Sequence, residues 1–255
     1  MSGLPKRRVL GVDISIGSFA DHLDTIIAMA QARRSAYVCC VNAHMTVEAY
    51  KDQAFARIVN EADLATADGM PILRSVQWFH RIRQERVAGN DLLPVLLARA
   101  VEGGLSVFLF GGQPATLSAI KVRATKELPG LRIVGSIAPP FRAASELEMD
   151  AFAEQINASG AHLVMVSLGC PKQEKWMAAM RGKINAVMLG LGGAFLLYIG
   201  ADSRAPRWMR DLSLEWAYRL WLEPGRLWKR YLVTNSIFLW LFAKEGLRRL
   251  LGLQR

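Results

Sequence analysis

Several things are scarce in this 255-residue chain, and each scarcity removes a class of function. There are three cysteines, Cys39, Cys40 and Cys170, with no CxxC pair, so neither a disulfide framework nor a thiolate zinc site is expected. They read as buried structural thiols of a reducing compartment. The four histidines, His22, His44, His80 and His162, show no metal-ligand spacing, and His162 opens a predicted strand. No Asp-x-Asp stands at a strand end, and the cluster Glu146-Leu-Glu148-Met-Asp150 reads as a solvated helix face. No metal or other cofactor is therefore expected. There is no GxxxxGK[ST], which disfavours a P-loop nucleotidase. Gly190-Leu-Gly-Gly-Ala-Phe begins like a dinucleotide fingerprint, but Phe195 stands where the third glycine belongs.

Long apolar runs are missing too. Val9–Ile16 is short and carries Asp13, so it is no signal-peptide core. Val233–Ala243 is interrupted by Thr234, Asn235 and Ser236, well short of the ~20 apolar residues that a span needs. A cytoplasmic protein is the expectation.

What is present is a 52% hydrophobic chain with a net charge of +10. That much apolar content builds a real core. The basic surplus favours nucleic acid, anionic lipid or phosphate-bearing substrates. Its placement separates these. Arg204, Arg207, Arg210, Arg219, Arg226, Lys229 and Arg230 lie among Trp208, Trp216, Trp221, Trp228 and Trp240. Basic residues interleaved with Trp and Leu suit a membrane surface more than DNA.

Periodicity predicts helices over Asp21–Arg33, Thr46–Asn60, Ile72–Ile82, Leu92–Glu102, Ala115–Glu127 and Lys172–Met180, with a capping box of Ser145 and Glu148. Asn90 or Asp91 is placed to cap the fourth of these. Strands are predicted at Ser35–Val41, Ala62–Thr66, Leu105–Phe110, Leu131–Ser136, His162–Leu168 and Ala186–Leu189. Strand, glycine-marked turn and helix alternate, the pattern of an α/β fold with a mostly parallel buried sheet. After Gly200 the strands stop. The expected division is an α/β core over residues 1–200 and a basic, Trp-rich helical appendage over 201–255.

Ligands in such sheets sit beyond the carboxyl ends of the strands. Three segments fall there: Asn42 onward, Asp68-Gly69, and Gly169 through Gln173. Asp68 sits where Gly69 permits unusual dihedrals and Pro71 fixes the next turn, a good station for a proton acceptor. Alone, such an aspartate more often forms a turn or a cap. Gly169-Cys-Pro-Lys-Gln opens a helix whose N–H groups can meet an anion, with Lys172 and Gln173 adding a charge and an amide.

Taken in order, Val41-Asn-Ala-His-Met45, Ala67-Asp-Gly-Met-Pro71, Glu85-Arg-Val-Ala-Gly-Asn-Asp-Leu92, Gly169-Cys-Pro-Lys-Gln-Glu174, Gly192-Gly-Ala-Phe195, Arg204-Ala-Pro-Arg-Trp-Met209, Leu214-Glu-Trp216 and Glu223-Pro-Gly-Arg-Leu-Trp-Lys-Arg-Tyr-Leu232 resemble the WecG/TagA/CpsF family of bacterial glycosyltransferases, glycosyltransferase family 26. The resemblance runs from about Val9 through Leu232. It implies a Rossmann-like core with an appendage that helps membrane association. It implies an inverting, metal-independent transfer from a UDP-sugar to a polyprenyl-diphosphate-linked sugar, at the cytoplasmic face of the inner membrane, in surface polysaccharide or exopolysaccharide synthesis. Asp68 matches the proposed base, Asn42 a pocket residue, Arg86 an arginine of the site and Gln173 a sugar-contacting amide. Gly169, Gly192 and Gly193 fall in the matching turns. Arg219, Arg226 and Lys229 match basic residues that close over the site. Two departures stand out. Cys40 replaces a threonine, and Leu196 stands where an aspartate often follows the phenylalanine.

Other readings stay open at this stage. The donor is a hexose, or N-acetylmannosamine or its uronic acid as in teichoic-acid and enterobacterial-antigen pathways. A nicotinamide oxidoreductase and a non-enzymatic lipid or nucleic-acid binder are the rivals outside the class, though no nucleic-acid partner is expected. A homo-oligomer is left open.

Overall fold

A computed structural model describes residues 3–140, 142, 144–212 and 214–252, without the Asp211 and Arg226 side chains. It begins with an element that the sequence reading passed over. β1 (Lys6–Val9) and β2 (Val12–Ser15) form an antiparallel hairpin. Leu10 and Gly11 make the turn, both at positive φ, as a two-residue hairpin turn matching strand twist requires. The chain then runs α1 (Phe19–Gln31), β3 (Ala36–Val41), α2 (Ala43–Lys51), α3 (Gln53–Asn60), β4 (Leu64–Ala67), α4 (Met70–His80) and α5 (Gly89–Glu102). It continues through β5 (Ser106–Gly111), α6 (Pro114–Glu127), β6 (Arg132–Ile137), α7 (Glu146–Ala158), β7 (Leu163–Ser167), α8 (Lys172–Met180), β8 (Val187–Gly190) and α9 (Ala194–Tyr198).

Strands β3 to β8 form one six-stranded, all-parallel sheet in the order β4-β3-β8-β7-β5-β6. This is the Rossmann-like α/β fold expected from the alternation of strands and helices. Successive side chains point to opposite faces, so each strand feeds two cores. Tyr37, Cys39 and Val41 meet Phe108, Phe110, Val164 and Val166 on one face, with α2, α3, α4 and α8. Val38, Cys40, Leu109, Met165 and Leu189 face the other, under α1, α5, α6 and α9. All three cysteines are free thiols, with Cys39 and Cys40 buried and Cys170 half-buried.

Two local expectations change. The helix predicted over Thr46–Asn60 is two helices, because Asp52 ends α2 and its carboxylate accepts the Ala54 and Phe55 N–H groups to start α3. Neither Asn90 nor Asp91 caps α5. The helix starts at Gly89, three residues earlier than expected, with Ala88 as its N-cap residue, so both lie in its first turn, and the Asp91 carboxylate is occupied by arginines instead.

After Tyr198 no strand occurs among the described residues. Three helices follow: α10 (Arg207–Asp211), α11 (Glu215–Leu222) and α12 (Pro224–Leu250). Phe238 and Leu241 of α12 are buried within the first core, and Arg249 donates to the Phe79 carbonyl at the end of α4. The C-terminal segment therefore packs on the sheet domain along α2 and α4 and helps complete its core. Among the described residues no helix is long and apolar enough to cross a membrane.

Candidate functional site

Four neighbouring strands, β4, β3, β8 and β7, end side by side, and their carboxyl ends carry the candidate residues. β3 hands over to Asn42, whose Oδ1 accepts the Met45 N–H at 3.1 Å and caps α2. β4 hands over to Asp68, whose own N–H is fixed by the carbonyls of Val41 and Thr66 at 3.0 and 3.1 Å. Pro71 sits in the first turn of α4, as expected. Gly69 does not use its special freedom. Its φ of −87° is ordinary extended backbone, so Asp68 is aimed by the strand end rather than by an unusual glycine turn. β7 leads through Gly169 into α8, where the Gly169 carbonyl accepts the Gln173 N–H at 2.9 Å. β8 leads into the Gly190–Gly193 turn, which Ser167 Oγ pins by donating to the Gly192 carbonyl at 2.8 Å.

These ends form the floor of a cavity of about 370 Å³. Its other wall comes from the C-terminal helices: Arg210 from α10, Glu215, Trp216 and Arg219 from α11, and Arg230, Tyr231, Thr234 and Asn235 from α12. The structure thus brings together Asn42, Asp68, Gly169, Gln173, Gly192, Gly193 and Arg219. Arg86 lies one layer back, holding a residue that lines the cavity. Lys172 is exposed at the start of α8 and does not line the cavity. Lys229 lies over the Trp228 ring, 5.4 Å from its centroid, away from the lining. The Arg226 side chain lies outside the described residues. Of the two departures, Cys40 lines the cavity floor and Leu196 does not.

The two carboxylates of the cavity are held differently. Glu215 approaches Arg86 Nη1 at 3.7 Å and Arg219 Nη2 at 3.9 Å. Arg86 Nη2 in turn binds Asp91 Oδ2 at 2.8 Å, and Arg204 binds the other oxygen of Asp91. A chain of alternating charge, Arg204–Asp91–Arg86–Glu215–Arg219, therefore stitches the C-terminal segment to the sheet domain. Asp68 lines the cavity and accepts no side-chain hydrogen bond among the described residues. Burial raises its pKa to about 7, with Glu215 and Asp91 adding to the rise and Arg86 and Arg219 opposing it. A partly buried carboxylate with no fixed partner and such a pKa is suited to taking a proton near neutral pH.

The opposite wall is cationic. Arg210, Arg219 and Arg230 all line the cavity, and the buried Arg210 Nε has no partner among the described residues. His44 Nδ1 is likewise buried and unpartnered, and burial together with Arg230 holds its imidazole below the usual pKa. Guanidinium groups suit phosphate oxygens. Among the described residues no three His, Cys, Asp or Glu side chains gather to hold a metal ion.

The sequence pattern of the Glycosyl transferase WecG/TagA/CpsF family matches residues 7–251. The chain belongs to this family. It is a glycosyltransferase, which sets aside the oxidoreductase and the non-enzymatic binder. The match spans both the sheet domain and the C-terminal helices, and the cavity is built from both. Arg210, Glu215, Trp216, Arg230, Tyr231, Thr234 and Asn235 were not singled out as cavity residues in the sequence. The Trp/Arg-rich texture marked the segment, but not which side of each helix turns inward.

Proposed function

We propose that the protein is an inverting glycosyltransferase that moves a hexose-type sugar from a UDP-sugar to a polyprenyl-diphosphate-linked sugar in bacterial surface polysaccharide or exopolysaccharide synthesis. The observation that carries this reading is the unpartnered Asp68 carboxylate facing a wall of three arginines across one cavity. Inversion by one displacement needs one base. Asp68 takes the proton of the acceptor hydroxyl as that oxygen bonds to the anomeric carbon. The bond from that carbon to the UDP oxygen breaks, and its electron pair leaves with UDP. General base catalysis of this kind contributes typically ~10²–10⁴-fold. Arg210, Arg219 and Arg230 are placed to hold the departing charge, so no metal is required in this scheme.

The same reading gives the C-terminal helices a second task at the cytoplasmic face of the inner membrane. Trp221 and Trp228 are 77% and 49% exposed, and Lys229 Nζ lies over the Trp228 ring. Trp with cations suits an anionic lipid interface.

The test is a donor screen with a short-chain polyprenyl-diphosphate-linked acceptor, with mass spectrometry reading which sugar is added. UDP-glucose, UDP-N-acetylmannosamine and its uronic acid are the donors to compare. One of them should yield product with the wild type, in the presence of a chelator, and none with Asp68→Asn. Wild-type turnover by that variant, or a reaction that a chelator stops, would contradict the scheme.

A further inference from the structure

The transfer step leaves unused the most deeply buried polar pair of the cavity floor, Gln173 and Glu174 at the start of α8. Gln173 is 4% exposed and lines the cavity, while Glu174 behind it is 0% exposed. Gln173 Nε2 donates to Glu174 Oε1 at 2.8 Å. Gln173 Oε1 is buried without a partner among the described residues, while the Cys170 thiol lies against the Glu174 carboxyl. Buried polar atoms are nearly always satisfied, and an orphan at a cavity wall is where a ligand supplies the missing group.

The Gly190–Gly193 turn shows why the amide sits as it does. A Cβ on Gly190 would stand 3.0 Å from Gln173 Nε2 and 2.8 Å from Met177 Cε, so a side chain there would press on the amide and on the methionine methyl. A Cβ on Gly192 would stand 3.6 Å from Gln173 Oε1. The turn that resembles a nucleotide fingerprint in sequence thus serves as the seat of a glutamine. The amide nitrogen is taken by Glu174 and the oxygen looks over Gly192.

We infer that Glu174 is a positioning residue that engages the Gln173 amide nitrogen, so that Gln173 Oε1 accepts a hydrogen bond from a hydroxyl or amide N–H of the donor sugar. This rests on the cavity being the donor site. The chemistry of the atom excludes the diphosphate as its partner, because a carbonyl oxygen and a phosphate oxygen are both acceptors. The phosphates belong to the arginine wall, and Gln173 reads the sugar. Burial raises the Glu174 pKa, and the hydrogen bond from the Gln173 amide opposes the rise. A glutamine at 174 offers the same carbonyl, whereas a methionine of similar size offers none.

Calorimetric titration of the full chain with UDP, UDP-glucose and UDP-N-acetylmannosamine separates the contributions. Glu174→Met should bind UDP like the wild type and lose about tenfold in affinity for the preferred UDP-sugar, the cost of one aimed hydrogen bond. Glu174→Gln should recover affinity to within about threefold. Gln173→Leu should lose as much as Glu174→Met, and the double variant no more than either, since the two act as one unit. If Glu174→Met fails to fold, the Gln173 ε-amide resonances of the wild type carry the test. They should exchange slowly and shift on adding the UDP-sugar but not UDP.

A UDP-sugar affinity unchanged in Glu174→Met, or a loss already seen with UDP alone, would overturn the inference. So would a Gln173 amide that exchanges rapidly, or wild-type protein that binds both UDP-sugars no better than UDP. A wild-type protein that binds neither UDP nor either UDP-sugar would instead sink the donor-site reading itself.

Discussion

Glu215 reaches from α11 to the Arg86 guanidinium, Oε2 to Nη1 at 3.7 Å, and so joins the C-terminal helices to the segment just before α5. Neither this contact nor that to Arg219 is short enough for a hydrogen bond, so the interaction is one of charge. Its effect on the cavity is indirect. Glu215 draws the guanidinium groups of Arg86 and Arg219 toward itself and adds negative charge near Asp68, which favours the protonated form of that residue. Two carboxylates in one cavity acquire two roles through their surroundings.

The first expectation concerns pH. Transfer rates measured from pH 5.5 to 8.5 should fall on the acid side with a midpoint at about 7, where Asp68 takes up a proton. Asp68→Asn should lower the rate by ~10²–10⁴-fold and abolish this limb. An acid limb that persists unchanged in the variant would assign it to another group.

Glu215→Gln should move the acid limb to lower pH, because a charge that favours protonation of Asp68 is removed while Arg86 and Arg219 remain. The rate profile of this variant, run beside the wild type in the same buffers, checks it. A limb that moves upward would contradict the electrostatic account.

Stability should respond as well. The Asp68 pKa is raised from 3.8 to about 7 in the folded protein, so the stabilising contribution of this group is fully present below about 3.8 and is lost as pH rises through about 7. Asp68→Asn should therefore raise Tm at pH 8 by about 3–6 °C and change it little at pH 4. Scanning calorimetry at the two pH values decides this, and equal shifts at both would refute it.

The charge chain predicts how the C-terminal segment is secured. Asp91 holds both Arg86 and Arg204, so Asp91→Asn breaks two links at once. These groups are only partly buried, and about 1–2 kcal/mol is the expected weakening of docking. Tryptic cleavage after Arg204 should quicken about tenfold while the sheet domain resists. Unchanged cleavage would show that the apolar seat of Phe238 and Leu241 alone secures the segment.

At the proposed membrane face, Trp221→Ala combined with Trp228→Ala should weaken sedimentation with phosphatidylglycerol vesicles by about tenfold or more. Both rings are exposed, so Tm should stay within about 1 °C of the wild type. Undiminished vesicle binding would assign the lipid contact elsewhere.

Much of the architecture was legible because the sheet is buried on both faces. Short runs such as Tyr37-Val-Cys-Cys-Val41 and Leu163-Val-Met-Val166 signal a fully covered strand, and the residue that follows falls at the ligand-binding edge. Asn42 and Asp68 follow their strands directly, and Gln173 follows β7 across the Gly169 turn. The β1–β2 hairpin was not legible, because its turn places Leu10 at positive φ, against the preference of a branched residue, and its strands are four residues each. The other wall of the cavity was harder for a different reason. Arg210, Arg219 and Arg230 line it while Lys229 does not, and only the docked orientation of α10, α11 and α12 distinguishes them. Lys172 shows the same limit, since a cation at a helix start can point outward as readily as toward a ligand.

Asn42 begins α2 with one half of its amide, the oxygen that receives the Met45 N–H. What remains for a visitor is Nδ2, which can only give a hydrogen. A sugar ring lying between this nitrogen and the Gln173 oxygen would meet a giver at one edge and a taker at the other. A deoxy sugar that lacks one of these hydroxyls, or an epimer that turns it to the opposite side of the ring, would satisfy one edge and strand the other. The start of one helix and the buried glutamine of another would in this way supply stereochemical discrimination without a loop dedicated to it.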